Sequence, residues 1–152
     1  MYVFAYRTRQ LGMIYIGETD GFIDYVNFFP LTDRIEKETT LIKKCFQELT
    51  EYLEGQRQTF DLPIRQEGTP FQENVWKAVM QIPYGKTASY QDVAKMAGRP
   101  LAYRAAGNAI NKNKICLIIP CHRVIKQDGS LGGYNGHEDR KLYLLEHEGG
   151  KI

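Results

Sequence analysis

A change of hydrophobic period near residue 33 limits the possible folds more than any other feature of the chain. Before it, "YVFAY", "MIYIGE" and "FIDYVNF" are rich in β-branched and aromatic residues, and "TDG" supplies a turn between the last two. This pattern predicts an antiparallel meander over the first thirty residues. From residue 33 to 54, Ile42, Cys45, Phe46, Leu49, Tyr52 and Leu53 recur at helical spacing, and Gly55 is a natural stop. "TFDLPI" reads as one more extended piece. A sheet with a helix packed across it is the simplest way to bury both stripes.

The composition turns polar at "RQEGTP", and a domain boundary is expected between residues 68 and 69. Thr69, Pro70 and Gln72 then supply a cap, a first-turn proline and a capping-box partner for a helix over "FQENVWKAVMQI". Ser89 with Asp92 caps a second helix, "YQDVAKMAG", closed by Gly98. A third, "LAYRAAGNAINKN", follows directly. Two helices so joined, with Ala94 and Gly98 four apart, read as a helix-turn-helix. "ICLII" is expected as a buried strand or extended segment. "RKLYLLEHEGG" gives a last helix, with Leu142, Leu144 and Leu145 toward the core. The expected fold class is α/β (α+β). A small N-terminal domain of antiparallel sheet plus helix (1–68) precedes a mainly helical domain with a winged helix-turn-helix (69–152).

The charge is segregated. Residues 1–68 hold 8 Lys and Arg against 11 Asp and Glu, whereas residues 69–152 hold 12 against 7. Between Lys77 and Lys126 nine basic residues face one acid, Asp92. Such a segment suits a polyanion, because each phosphate contact releases counterions. A solvated basic face is the plainer alternative. No apolar run approaches the roughly eighteen residues of a membrane span. The N-terminus lacks a basic patch followed by an apolar core, and three cysteines form no disulfide framework, so a cytoplasmic chain is expected.

The chemistry concentrates at "CLIIPCHRVI", residues 116–125. Cys45 and Cys116 sit in apolar patterns and read as core thiols. Cys121 differs, because Pro120 stops regular structure before it and His122 and Arg123 follow. Nearby positive charge favours the reactive thiolate. A Cys–His pair needs a third group to orient the imidazole, and Glu146 and Glu148 are the acidic candidates. Zinc is not expected, since Cys116 and Cys121 lack a metal-pair spacing and His137 and His147 complete no cluster. On residues alone, acyl transfer, thiol redox and alkyl transfer all stay open.

"IPCHRVI" resembles the active-site signature of the methylated-DNA–protein-cysteine methyltransferases, or O6-alkylguanine-DNA alkyltransferases. The likeness runs in order through "IPYGKTASYQDVAKMAG", "RAAGNAINKN", "GGYNG" and "LLEHEG". It implies repair of duplex DNA carrying O6-alkylguanine, with O4-alkylthymine a further candidate substrate, by a single-use enzyme. Cys121 would accept the alkyl group in one in-line displacement. His122, acting through a water, would be the base and Glu148 would orient it. Tyr90 would donate to guanine N3. Arg104 would fill the stack after the nucleotide is rotated out, and Ala105, Ala106 and Gly107 would allow close approach to DNA. Asn113 would tie the helix-turn-helix to the active-site loop. Tyr134 and Asn135 would line the base pocket, with the Cys121 and Val124 carbonyls accepting the guanine amine. Arg123 is grouped with the DNA-contacting residues. No cofactor and no metal are implied, and a monomer is expected.

Three positions depart from the family pattern. Lys114 follows Asn113 where proline is common, Ala106 replaces a common valine, and Asn135 replaces a frequent serine. A non-catalytic, alkyltransferase-like lesion binder is the main rival reading, although such proteins replace the acceptor cysteine. A cysteine hydrolase would explain neither the helix-turn-helix nor the basic segment.

Overall fold

The computed structural model describes residues 1–149, which form two compact units, 1–66 and 67–152 less its last three residues. In the first unit, β1 (Tyr2–Thr8), β2 (Gly12–Thr19) and β3 (Phe22–Asn27) form the expected meander. Tyr6 pairs with Ile14, and Ile16 with Val26. A two-residue strand, β4 (Ile35–Glu36), adds to β1 in parallel, so the order is β3-β2-β1-β4.

Helix α1 (Thr40–Leu53) begins seven residues later than the spacing alone suggests. Backbone pairing holds residues 35–37 beside β1, with Lys37 N donating to the Val3 carbonyl at 3.1 Å. Thr39 then caps the helix by accepting from Ile42 N. One helical face buries Ile42, Cys45, Leu49 and Tyr52 against Ile14, Ile16, Ile23 and Val26, all essentially inaccessible. The extended piece "TFDLPI" touches the free edge of β3 at one point, where Ile23 bridges Ile64.

In the second unit, α2 (Pro70–Met80) and α3 (Tyr90–Met96) both start with complete capping boxes, Thr69 with Gln72 and Ser89 with Asp92. Gly98 ends α3 at φ +90°, a conformation that glycine adopts without strain. α4 (Tyr103–Asn111) packs on α2 and α3 through Ala106, Ala109 and Ile110. Trp76 Nε1 donates to the Ala109 carbonyl at 2.9 Å and locks α2 to α4. A parallel pair, β5 (Ala88–Ser89) with β6 (Val124–Ile125), joins the start of α3 to the segment after Cys121. α5 (His137–His147) closes the chain.

Two expectations fail here. "ICLII" is buried but is no strand: residues 116–119 run in successive turns, with Leu117 at φ +73°. The Asn113 side chain causes this by taking the bonds that a sheet would use. Its Oδ1 accepts from Ile115 N at 3.0 Å and its Nδ2 donates to the Ile119 carbonyl at 3.1 Å. Leu142 is 37% exposed, because the buried face of α5 runs through Lys141, Leu144 and Leu145 instead.

Candidate active site

Cys121 opens a single 3₁₀ turn (Cys121–Arg123) between the turns of 116–119 and strand β6. Short backbone bonds hold it, from Cys121 N to Ile119 O at 2.7 Å and from Arg123 N to Pro120 O at 2.9 Å. The residue is 4% exposed. Its thiol lies below the ordinary cysteine range, chiefly because the Cys116 thiol hydrogen-bonds to it. Burial opposes this, while the Asn113 amide and the Lys141 charge add to it. Cys116 is pushed well above its ordinary value by the same hydrogen bond and by burial. Of the two neighbouring thiols, Cys121 is thus the one whose surroundings favour the thiolate.

His122 is fully buried, with Nε2 2.8 Å from Glu148 Oε2. Burial is the largest influence on the imidazole and lowers its pKa, despite the opposing carboxylate. The ring is thus neutral. A carboxylate only accepts, so Nε2 carries the hydrogen and Nδ1 keeps its lone pair. Nδ1 is buried and meets no hydrogen-bonding group among the described residues. That leaves the Nδ1 lone pair available as a base.

Glu148 also receives Arg123, from Nε at 2.9 Å and from the second terminal nitrogen at 3.0 Å. Arg123 Nη1 donates to the Ile82 carbonyl at 2.7 Å, and its guanidinium lies 5.7 Å from the Tyr84 ring centre. Arg123 is 6% exposed, so the expectation of a DNA-contacting arginine is corrected. Its donors all turn inward, fixing the carboxylate and the "IPYG" turn. Glu146, the other acidic candidate, is exposed.

Tyr90 stands at the first position of α3, next to the β5–β6 pair. Its hydroxyl is raised in pKa by burial and by the Cys121 charge, with an opposing hydrogen bond from the Gly133 backbone. A Cβ on Gly132 would lie 2.7 Å from the Tyr90 hydroxyl, and one on Gly107 would lie 3.5 Å from its ring. Two glycines therefore press on one tyrosine, from α4 and from the loop before α5. Asn135 Nδ2 donates to the Asn113 carbonyl at 3.0 Å. Asn135 and Tyr134 also lie beside the Cys116 sulfur and moderate its upward shift. Val124 is buried in β6.

A cleft of about 670 Å³ opens in front of Tyr90, lined among others by Tyr103, Arg104, Gly107, Gly132 and Gly133. Cys121 does not line it, whereas Tyr90, whose hydroxyl feels the Cys121 charge, does. Arg104 and Ala105 are exposed on α4. Ala106 is not: it is 0% exposed in the helix packing, which corrects its expected place on the approach surface. Of the nine basic residues from Lys77 to Lys126, eight are exposed and only Arg123 is buried.

Lys141 was not expected. It is completely buried, with Nζ donating to the carbonyls of Leu131 at 2.5 Å and Gly133 at 3.1 Å. Nζ also lies 5.9 Å from the Tyr90 ring centre. Burial lowers its pKa to about 8, against a smaller upward pull from Cys121. The signal was available: Lys141, Leu144, Leu145 and Glu148 share one helical stripe.

Residues 70–150 match the DNA-binding domain of 6-O-methylguanine DNA methyltransferase, and residues 4–66 match that family's ribonuclease-like domain. A methylated-DNA–protein-cysteine methyltransferase of Methanosarcina barkeri is 43% identical over 144 residues, covering 91% of both chains. A constitutive one of Bacillus subtilis is 43% identical over 127 residues, covering 82% of this chain and 77% of its own. The crystal structure of Mycobacterium tuberculosis OGT in complex with DNA superposes with a TM-score of 0.90 at 33% identity, covering 97% of this chain and 92% of that one. The chain belongs to the 6-O-methylguanine DNA methyltransferase family.

Proposed function

We propose that this protein repairs duplex DNA by taking the alkyl group of O6-alkylguanine onto Cys121, once per molecule. The observation that carries the reading is the arrangement around one sulfur. A thiol of lowered pKa lies beside Tyr90, and a neutral, buried His122 is oriented by Glu148.

The His122 Nδ1 lone pair, acting through a water, draws off the thiol proton. The Cys121 sulfur then attacks the alkyl carbon in line with the C–O6 bond. The S–C bond forms as the C–O6 bond breaks, and its electron pair passes into the guanine ring. Tyr90 donates toward N3 as that charge develops, which selectively stabilises the transition state. The Lys141 ammonium, held near sulfur and tyrosine, favours the thiolate before attack. The thioether product has no leaving group comparable to guanine, so nothing regenerates the thiolate.

A base inside a duplex cannot reach a sulfur that is 4% exposed. The nucleotide must rotate out, at a cost of a few kcal/mol. Arg104, exposed on α4 at the mouth of the cleft, fills the gap in the stack, while Ala105 and Gly107 keep the helix surface low. The exposed basic residues bind the flanking phosphates.

Titration with excess duplex carrying O6-methylguanine tests this. The yield of restored guanine levels off at one per protein molecule. Continued turnover would defeat the reading, and tight lesion binding with no restored guanine would favour a lesion binder.

A further inference from the structure

We infer that Cys116 is a resolving thiol, which captures Cys121 as a disulfide when a hydroperoxide oxidises it. This rests on the reading of Cys121 as the reactive sulfur. In an extended strand, five residues would separate the two by about 16 Å. The chain folds back instead, with Ile118 N donating to Cys116 O at 2.8 Å and Ile119 N to Ile115 O at 3.0 Å. Asn113 pins both ends of this fold, which sets the Cys116 thiol beside the Cys121 sulfur. Both cysteines are free thiols. A core thiol needs no second thiol as its partner. Here the buried cysteine instead sits against the cysteine that adjoins His122 and Lys141.

The chemistry balances without any further reagent. The Cys121 thiolate attacks a hydroperoxide oxygen, the O–O bond breaks, and Cys121 becomes a sulfenic acid with loss of hydroxide or alkoxide. The Cys116 sulfur then attacks the Cys121 sulfur. An S–S bond forms, the S–O bond breaks, and the hydroxyl leaves with the Cys116 proton as water. The Cys121 charge that holds Cys116 protonated is absent from the neutral sulfenic acid, so the second thiol ionises more easily at that stage. Without a resolving thiol, a sulfenic acid goes on to sulfinic acid, which ordinary thiols do not reduce. For a protein whose sulfur is used once, the disulfide keeps an oxidised molecule recoverable.

The sequence makes the test direct. Trypsin cleaving after Lys114 and Arg123 releases Ile115–Arg123, which contains both cysteines. The protein is treated with hydrogen peroxide, digested without reductant and weighed; alkyl acceptance is measured before, after, and following dithiothreitol. The expected peptide is two hydrogens lighter, with acceptance lost completely and recovered fully by dithiothreitol. In Cys116→Ser, which keeps a hydrogen-bonding hydroxyl, peroxide adds oxygens to Cys121 and dithiothreitol restores nothing. Cys116→Ala serves as a second variant with the same expected outcome, and Cys45 stays a thiol throughout. A wild-type peptide gaining two or three oxygens, with no hydrogen loss, overturns the inference; so does equal recovery in the variants. If the reduced wild type accepts no alkyl group, the functional reading fails instead, and the peptide mass still decides the disulfide.

Discussion

Glu148 Oε2 lies 2.8 Å from His122 Nε2, and the same carboxylate takes two hydrogen bonds from Arg123. One acidic side chain at the end of α5 thus fixes the tautomer of the base and neutralises a buried cation. Glu148→Gln disturbs both. The amide presents a donor where an acceptor is needed, favouring the wrong imidazole tautomer or leaving an arginine N–H unpaired. Breaking a buried pair costs about 3–5 kcal/mol, and losing a general base costs roughly 100-fold or more in rate. Denaturant unfolding and single-turnover alkyl transfer measure the two effects separately.

Arg123 and Arg104 are both arginines in a basic segment, yet their exposure separates them. Arg123→Ala lowers unfolding stability by several kcal/mol, on the order of a broken buried pair, with little change in the salt dependence of DNA affinity. Arg104→Ala leaves stability within about 0.5 kcal/mol and slows transfer from duplex DNA far more than from the free base. Lys114→Ala reduces the salt slope by about one phosphate contact. Binding isotherms at several salt concentrations, alongside melting curves, check all three.

Lys141 sets a pH dependence whose sign can be worked out. Its pKa in the fold is about 8, below the ordinary 10.5. Between those values the unfolded chain binds the more protons, so this group makes stability rise with pH through that window. The slope is at most about 1.4 kcal/mol per pH unit. Lys141→Met removes this rise, and by removing a cation near Cys121 it moves the acidic limb of the rate profile to higher pH. Unfolding series from pH 7 to about 10 and a pH–rate profile for both proteins test it.

Gly132 and Gly107 both face Tyr90, but only one position is closed to a side chain. Gly132→Ala places a Cβ 2.7 Å from the tyrosine hydroxyl, at φ +75°. The hydroxyl must move, and a displacement near 1 Å costs on the order of 100-fold in rate. Gly107→Ala puts a Cβ at an ordinary 3.5 Å from the ring. It stabilises α4 by about 0.5–1 kcal/mol and has the smaller kinetic effect. Single-turnover rates and melting temperatures distinguish them.

Local signals in the sequence were enough for the starts of α2 and α3 and for the meander. Thr69 with Gln72 and Ser89 with Asp92 act within four residues, and the strands alternate on their own backbone. Features decided by distant partners were not legible. Arg123 reads as a DNA contact until Glu148, 25 residues later, is placed beside it. Residues 115–119 read as a strand because their apolar run says nothing of the Asn113 side chain that folds them back. Ala106 reads as exposed because smallness suits close DNA approach and close helix packing equally well. Lys141 belongs to no catalytic motif that the sequence displays, although its stripe with Leu144, Leu145 and Glu148 marks a buried position.

The central claim is tested most directly by mass analysis after reaction with duplex DNA containing O6-methylguanine. The account predicts one added methyl on peptide Ile115–Arg123, at Cys121, with guanine restored in the DNA and no gain in Cys121→Ala. Restored guanine with an unmodified Cys121, or repair persisting in Cys121→Ala, would contradict it.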